Sequence, residues 1–70
     1  MPRRRHYRTP DSELLRQLVR VNRELGRLGC AVLLPVEDAK TMPDYQVREW
    51  VTASEDRVVT VRDALKGYRG

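Results

Sequence analysis

Leu14, Leu18, Val21, Leu25 and Leu28 recur at spacings of 4, 3, 4 and 3, a period that brings side chains onto one side of an α-helix and of no other regular structure. Leu15 and Val19 widen the stripe on one side. The expected start is Thr9-Pro10-Asp11-Ser12-Glu13. Thr9 serves as the N-cap, Pro10 suits the first helical position, and two carboxylates fall where the helix dipole favours them. Gly29 is expected to stop the helix by taking the left-handed conformation, with Cys30 or Ala31 closing the cap by apolar contact. Gly26, inside the last turn, costs up to about 1 kcal/mol and loosens that end. A one-sided helix of this kind must bury its stripe against something else, and only 70 residues are present to supply it. A chain of that size buries only about 60% of the surface its unfolded form exposes. One small domain over residues 9–70, preceded by an arm at residues 1–8, is therefore the expectation.

The chain has no Phe and no Ile, so the material for a core is Leu and Val. Cys30 to Leu34 is an apolar run halted by Pro35, too short for a second helix, and it predicts a buried strand. Val36 to Asp44, with Glu37, Asp38, Lys40 and Pro43, predicts a surface loop. Tyr45 to Thr52 and Arg57 to Val61 are rich in β-formers and flank the polar stretch Ala53-Ser54-Glu55-Asp56, which predicts an antiparallel hairpin. Val61, Ala64, Leu65 and Tyr68 fall at helical spacing, and Thr60 precedes Asp63 by three residues as in a variant capping box, predicting a short final helix from about Val61 to Lys66. The expected fold class is α+β: one long N-terminal amphipathic helix on a small, mainly antiparallel three-stranded sheet, with a short C-terminal helix.

Charge is distributed unevenly. Arg3, Arg4, Arg5 and Arg8 carry four positive charges with no acid among residues 1–8, which equals the net charge of +4 for the whole chain. A cationic arm on a body of zero net charge points to a polyanionic partner. Twelve Arg against two Lys, with a single Asn, is also the bias that a GC-rich genome imposes, so placement carries more weight than the choice of arginine. Placement is informative. Arg16, Arg20, Arg23 and Arg27 are spaced 4, 3 and 4, which gathers them opposite the leucine stripe in a row about 16 Å long at 1.5 Å per residue. That is comparable with about five phosphates along one DNA strand. Tyr7 adds a ring able to stack on an unpaired base. A solvated helix face with ordinary ion pairs from Glu13 and Glu24 is the competing reading of the same row.

In the expected strand, Trp50 and Arg48 share the polar face with Gln46 and Thr52, which makes them candidate partner-binding residues on an exposed sheet face. A bulge that shifts the register would instead bury Trp50. Catalysis finds no foundation: the single His6 lies in the arm, the single Cys30 sits beside a helix cap, and no nucleophile has an identifiable base. No metal-ligand spacing or phosphate-cradling glycine loop is present, and no cofactor is expected. One cysteine excludes an internal disulfide and is compatible with a reducing compartment, so a cytoplasmic location is expected. The longest apolar run is far shorter than the roughly 20 residues of a membrane span.

Helix-turn-helix, ribbon-helix-helix, zinc-finger and RNA-recognition patterns cannot be placed on these residues. Two readings follow. One is a small non-enzymatic nucleic-acid-binding module in which Arg3, Arg4, Arg5, Tyr7 and Arg8 together with Arg16, Arg20, Arg23 and Arg27 contact nucleic acid. The other is a protein-interaction module that docks on an acidic protein surface through its arm and through the sheet face around Trp50 and Arg48. An anionic lipid surface is disfavoured because the leucine stripe is needed for the core. A homo-oligomer through that stripe is the remaining possibility.

Overall fold

The leucine-stripe helix forms, capped two residues later than its first cap signal. In the computed structural model, which describes residues 8–69 and side chains as far as residue 67, α1 spans Ser12–Arg27. Its N-cap is Asp11, not Thr9: the Asp11 carboxylate accepts a hydrogen bond from the Leu14 amide at 2.9 Å. A carboxylate in this position satisfies an orphan amide and complements the helix dipole at once, which a threonine hydroxyl two residues earlier cannot do. Pro10 therefore precedes the cap and is buried. The C-terminus closes as expected. Gly29 has φ +78°, its amide donates to the Gly26 carbonyl at 3.0 Å, and the Cys30 amide donates to the Leu25 carbonyl at 2.9 Å. These two bonds constitute a Schellman motif, with Cys30 packed against the core.

After α1 the expected β-structure is absent: no residue from 8 to 69 is in a strand. Cys30 to Leu34 is a non-helical connecting segment. The Asn22 side-chain amide donates to the Leu34 carbonyl at 3.0 Å and holds it alongside α1. The expected loop contains a single helical turn, α2 (Val36–Ala39), whose Ala39 is fully buried. Everything from Asp44 to Arg69 is one helix, α3. Both expected hairpin strands and their turn lie inside it, and the expected short C-terminal helix is its last part. Among the described residues helix is the one regular structure, and the α+β assignment with its three-stranded sheet is corrected accordingly.

The reason is periodicity. Val47, Val51, Ser54 and Val58 are buried and Val61 is half-buried, at spacings of 4, 3, 4 and 3, the same pattern as in α1. No Gly or Pro interrupts positions 44–66, so nothing breaks the helix where a turn was expected. β-branched residues are weak helix formers, by a few tenths of a kcal/mol each. Burying a Val or Leu contributes about 1.5–3 kcal/mol, and that term decides the outcome.

The two long helices run parallel. The Arg8 carbonyl, ahead of α1, accepts from the Asp44 amide at the start of α3 at 2.8 Å, and Glu24 near the end of α1 pairs with Arg62 near the end of α3 at 3.3 Å. Residues about 37 positions apart thus sit at the same height along the pair. The connecting segment with α2 carries the chain back, and its Leu34 and Ala39 join Leu14, Leu18, Val21, Leu25, Val47, Val51 and Val58 in one core. Helices α1 and α3, side by side, form one layer, and the return segment covers its seam. The opposite face is open.

Candidate nucleic-acid interface

Arg16, Arg20, Arg23 and Arg27 are all exposed on α1. At about 100° per residue they lie opposite the buried seam of Leu14, Leu18, Val21 and Leu25, as the spacing requires. Their ion pairing is loose. Arg16 is 3.9 Å from Glu13 and Arg27 is 4.0 Å from Glu24, with both arginine side chains about 70% exposed. Pairs of that kind on a helix surface are worth a few tenths of a kcal/mol and leave the guanidinium groups available. Arg20 and Arg23 form no ion pair among the described residues. Arg8, also exposed, sits just before the α1 cap with its backbone tied to α3. Arg3, Arg4, Arg5 and Tyr7 lie outside the described residues.

Arg48 and Trp50 are not brought together. With the sheet replaced by α3, they are two residues apart on a helix and point about 200° away from each other. Arg48, exposed, is 3.9 Å from the half-buried Asp44 in an i, i+4 pair. Trp50 is 39% exposed, so it is neither the free-standing ring of an exposed sheet nor a core residue. It flanks the seam of α3 and is not adjacent to the arginine row.

A shallow groove separates α1 from α3 on the open face. Gln17, Arg20 and Glu24 line one wall and Glu55, Val58 and Val59 the other. Past the end of α1 it continues along Val59, Arg62, Asp63, Leu65 and Lys66. Glu24 is the one acid of α1 with a cross-helix partner, and its bond to Arg62 ties the helices together where Gly26 loosens α1. Beyond the groove lies a row that the hairpin reading concealed. Glu49, Asp56 and Asp63 are exposed and spaced seven apart, hence stacked along one side of α3 opposite its buried seam. None of the three forms an ion pair among the described residues. The seven-residue repeat was in the sequence, but the hairpin reading scatters these positions over a strand, a turn and the short final helix.

The open face thus carries a cationic row on α1 and an anionic row on α3, although the charges of residues 9–70 sum to zero. Among the described residues no group of three or more His, Cys, Asp or Glu could hold a metal ion, and no helix is long and apolar enough to cross a membrane. No protein-family model, curated protein or solved structure matches the chain.

Proposed function

We propose that this protein is a small non-enzymatic nucleic-acid-binding module, in which Arg16, Arg20, Arg23 and Arg27 follow a phosphate backbone and the basic segment 1–8 extends the contact. The reading rests on one observation: four exposed arginines stand in a row opposite the core, two without an ion pair among the described residues and two only loosely held. The acidic row on α3 gives the contact a direction. A polyanion avoids Glu49, Asp56 and Asp63, so the strand runs along the flank of α1 remote from α3, where Arg16 and Arg23 project. Such contacts are to phosphates and carry no base readout. The cytoplasm is the compartment we propose for it.

The test is the salt dependence of binding to a duplex DNA probe and a single-stranded RNA probe. Eight phosphate contacts on duplex DNA give a slope of log affinity against log salt near −7, at about −0.9 per contact. Removing residues 2–8 takes away four arginines and lowers the slope by about 3.6 on the same scale. Replacing Arg16 and Arg23 by Gln weakens binding on every sequence alike. Absence of binding to either probe at low salt, or a slope unchanged in both variants, overturns the proposal.

A further inference from the structure

The two charged rows are placed so that two copies of the molecule satisfy each other. On α1, the wall facing α3 is marked by Gln17, Arg20 and Glu24, and the arginine row starts at Arg20 and is centred about 80° round from Gln17 and Glu24, away from the return segment that Asn22 holds on the other flank. On α3, the wall facing α1 is marked by Glu55 and Arg62, and the acidic row is centred about 110° further round in the opposite rotational sense, which for two parallel helices is the same side of the pair. Both rows therefore border the one open face, the basic row nearest through Arg20 and Arg27 and the acidic row through Asp56 and Asp63, with the groove between them holding the Glu24–Arg62 pair and, past the end of α1, Lys66. Val59, 55% exposed, stands at the middle of that groove.

We infer that this face binds a second copy of the chain, in a two-fold dimer whose axis runs along the groove parallel to the helices. Rotation about that axis lays α1 of each copy on α3 of the other, so each arginine row meets an acidic row and both contacts form together. The alternative two-fold, perpendicular to the helices within the same face, sets arginine row against arginine row and is repelled. An isologous contact closes on itself and needs no further copies.

Height decides whether the rows meet. With the offset of about 37 positions set by the Arg8 to Asp44 and Glu24 to Arg62 contacts, Arg16, Arg20, Arg23 and Arg27 stand level with positions 53, 57, 60 and 64 of α3. Rotation about a parallel axis leaves heights unchanged. Arg20 then lies about 1.5 Å in height from Asp56 of the second copy, and Arg27 the same from its Asp63. Arg16 falls between Glu49 and Asp56, and Arg23 between Asp56 and Asp63. Val59 of each copy meets its counterpart at the axis, giving the contact its apolar centre. A face about 24 Å long and two helices wide buries on the order of 500 Å² per copy, the low end for a specific interface. With exposed charges supplying its specificity, the dimer is weak and salt-sensitive.

This inference goes beyond the nucleic-acid reading and uses the same row, so a second copy and a phosphate backbone compete for it. The experiment measures the mass of the full chain in solution across a range of protein concentration, at low and at high salt. The expected result is a species of about twice 8.2 kDa at low salt that reverts to monomer at high salt. Asp56→Lys with Asp63→Lys abolishes it, as does Arg20→Glu with Arg23→Glu. Mixing these two variants, or combining all four changes in one chain, restores it, because the rows are again opposite in sign. Helicity by circular dichroism confirms that each variant is folded. A wild-type chain that stays monomeric at low salt and high concentration overturns the inference, as does failure of both the mixed and the combined variants to associate. The nucleic-acid reading is judged separately: the Asp56→Lys, Asp63→Lys variant keeps the arginine row, so it binds the duplex DNA probe at least as tightly as the wild type whether or not the chain dimerises.

Discussion

Replacing Ser54 with Ala is expected to make this protein markedly more stable. Ser54 is fully buried between Val51 and Val58 in the seam of α3, and its hydroxyl has no hydrogen-bond partner. A buried unpaired hydroxyl costs about 1–3 kcal/mol relative to leaving it in water. Alanine removes the group, leaves the methylene that packs the seam, and adds up to about 0.7 kcal/mol of helix propensity. The expected gain is about 1–3 kcal/mol. In a domain of this size each kcal/mol moves the melting temperature by about 4–8 °C, so the shift reads roughly 5–20 °C. Thermal unfolding followed by helical circular dichroism measures it, and urea unfolding with an unchanged slope shows that the native state rather than the denatured state has changed. Ser54→Leu must go the other way. A side chain that large overfills a seam packed beside Leu18, at about 1–3 kcal/mol. An alanine variant no more stable than the wild type refutes the reasoning, because the hydroxyl would then be paired, for instance with a carbonyl one turn earlier in α3.

Two glycines three residues apart should respond with opposite signs. Gly29→Ala is expected to destabilise by about 1–2 kcal/mol, since φ +78° is strained for any L side chain, whereas Gly26→Ala, in open space within α1, should stabilise by about 0.5–1 kcal/mol; urea midpoints for the pair decide it. Asn22→Ala leaves the Leu34 carbonyl without its donor and should cost about 1 kcal/mol, with faster amide exchange in the return segment as the accompanying readout. If that exchange is unchanged, Asn22 does not hold the segment. Glu24→Gln removes the charge shared by Arg27 and Arg62 and should cost up to about 1 kcal/mol at low salt and less at high salt; a loss independent of salt would mean that packing, not charge, is involved.

How much of this was legible in the sequence differs between the two helices. α1 declares itself because every seam position is Leu or Val and because Gly29 marks its end. Only its cap was misplaced, by a threonine and proline that look like a start and are superseded by Asp11, whose carboxylate reaches the Leu14 amide. In α3 the same spacing is present, but its central position is Ser54, and a polar residue there splits one helical stripe into two apparent strands. Val47, Val51, Val58, Val59 and Val61 then supply β-propensity to both halves. Absence of Gly and Pro from positions 44–66 was the signal that could have overruled this, since Ser54 and Asp56 are weaker turn signals that a helix also accommodates. On the interface, the arginine row was legible because it belongs to α1. The acidic row was not, because it exists only once Glu49, Asp56 and Asp63 are on a helix.

That dependence changes what the charge balance means. A sum of zero over residues 9–70 describes a body with no net pull on a polyanion, which leaves the segment 1–8 as the whole attraction. The helical fold gathers four of those positive charges into a row on α1 and three of the negative ones into a row on α3, so on the proposed function a phosphate chain is drawn to α1 and turned away from α3. The two proposals, orientation on nucleic acid and pairing with a second copy, draw on one arrangement and separate by which row each needs. Neutralising the acids removes the pairing and frees the polyanion to lie across the groove. Neutralising the arginines is expected to remove both, so the two sets of variants distinguish the proposals in a way that net charge does not.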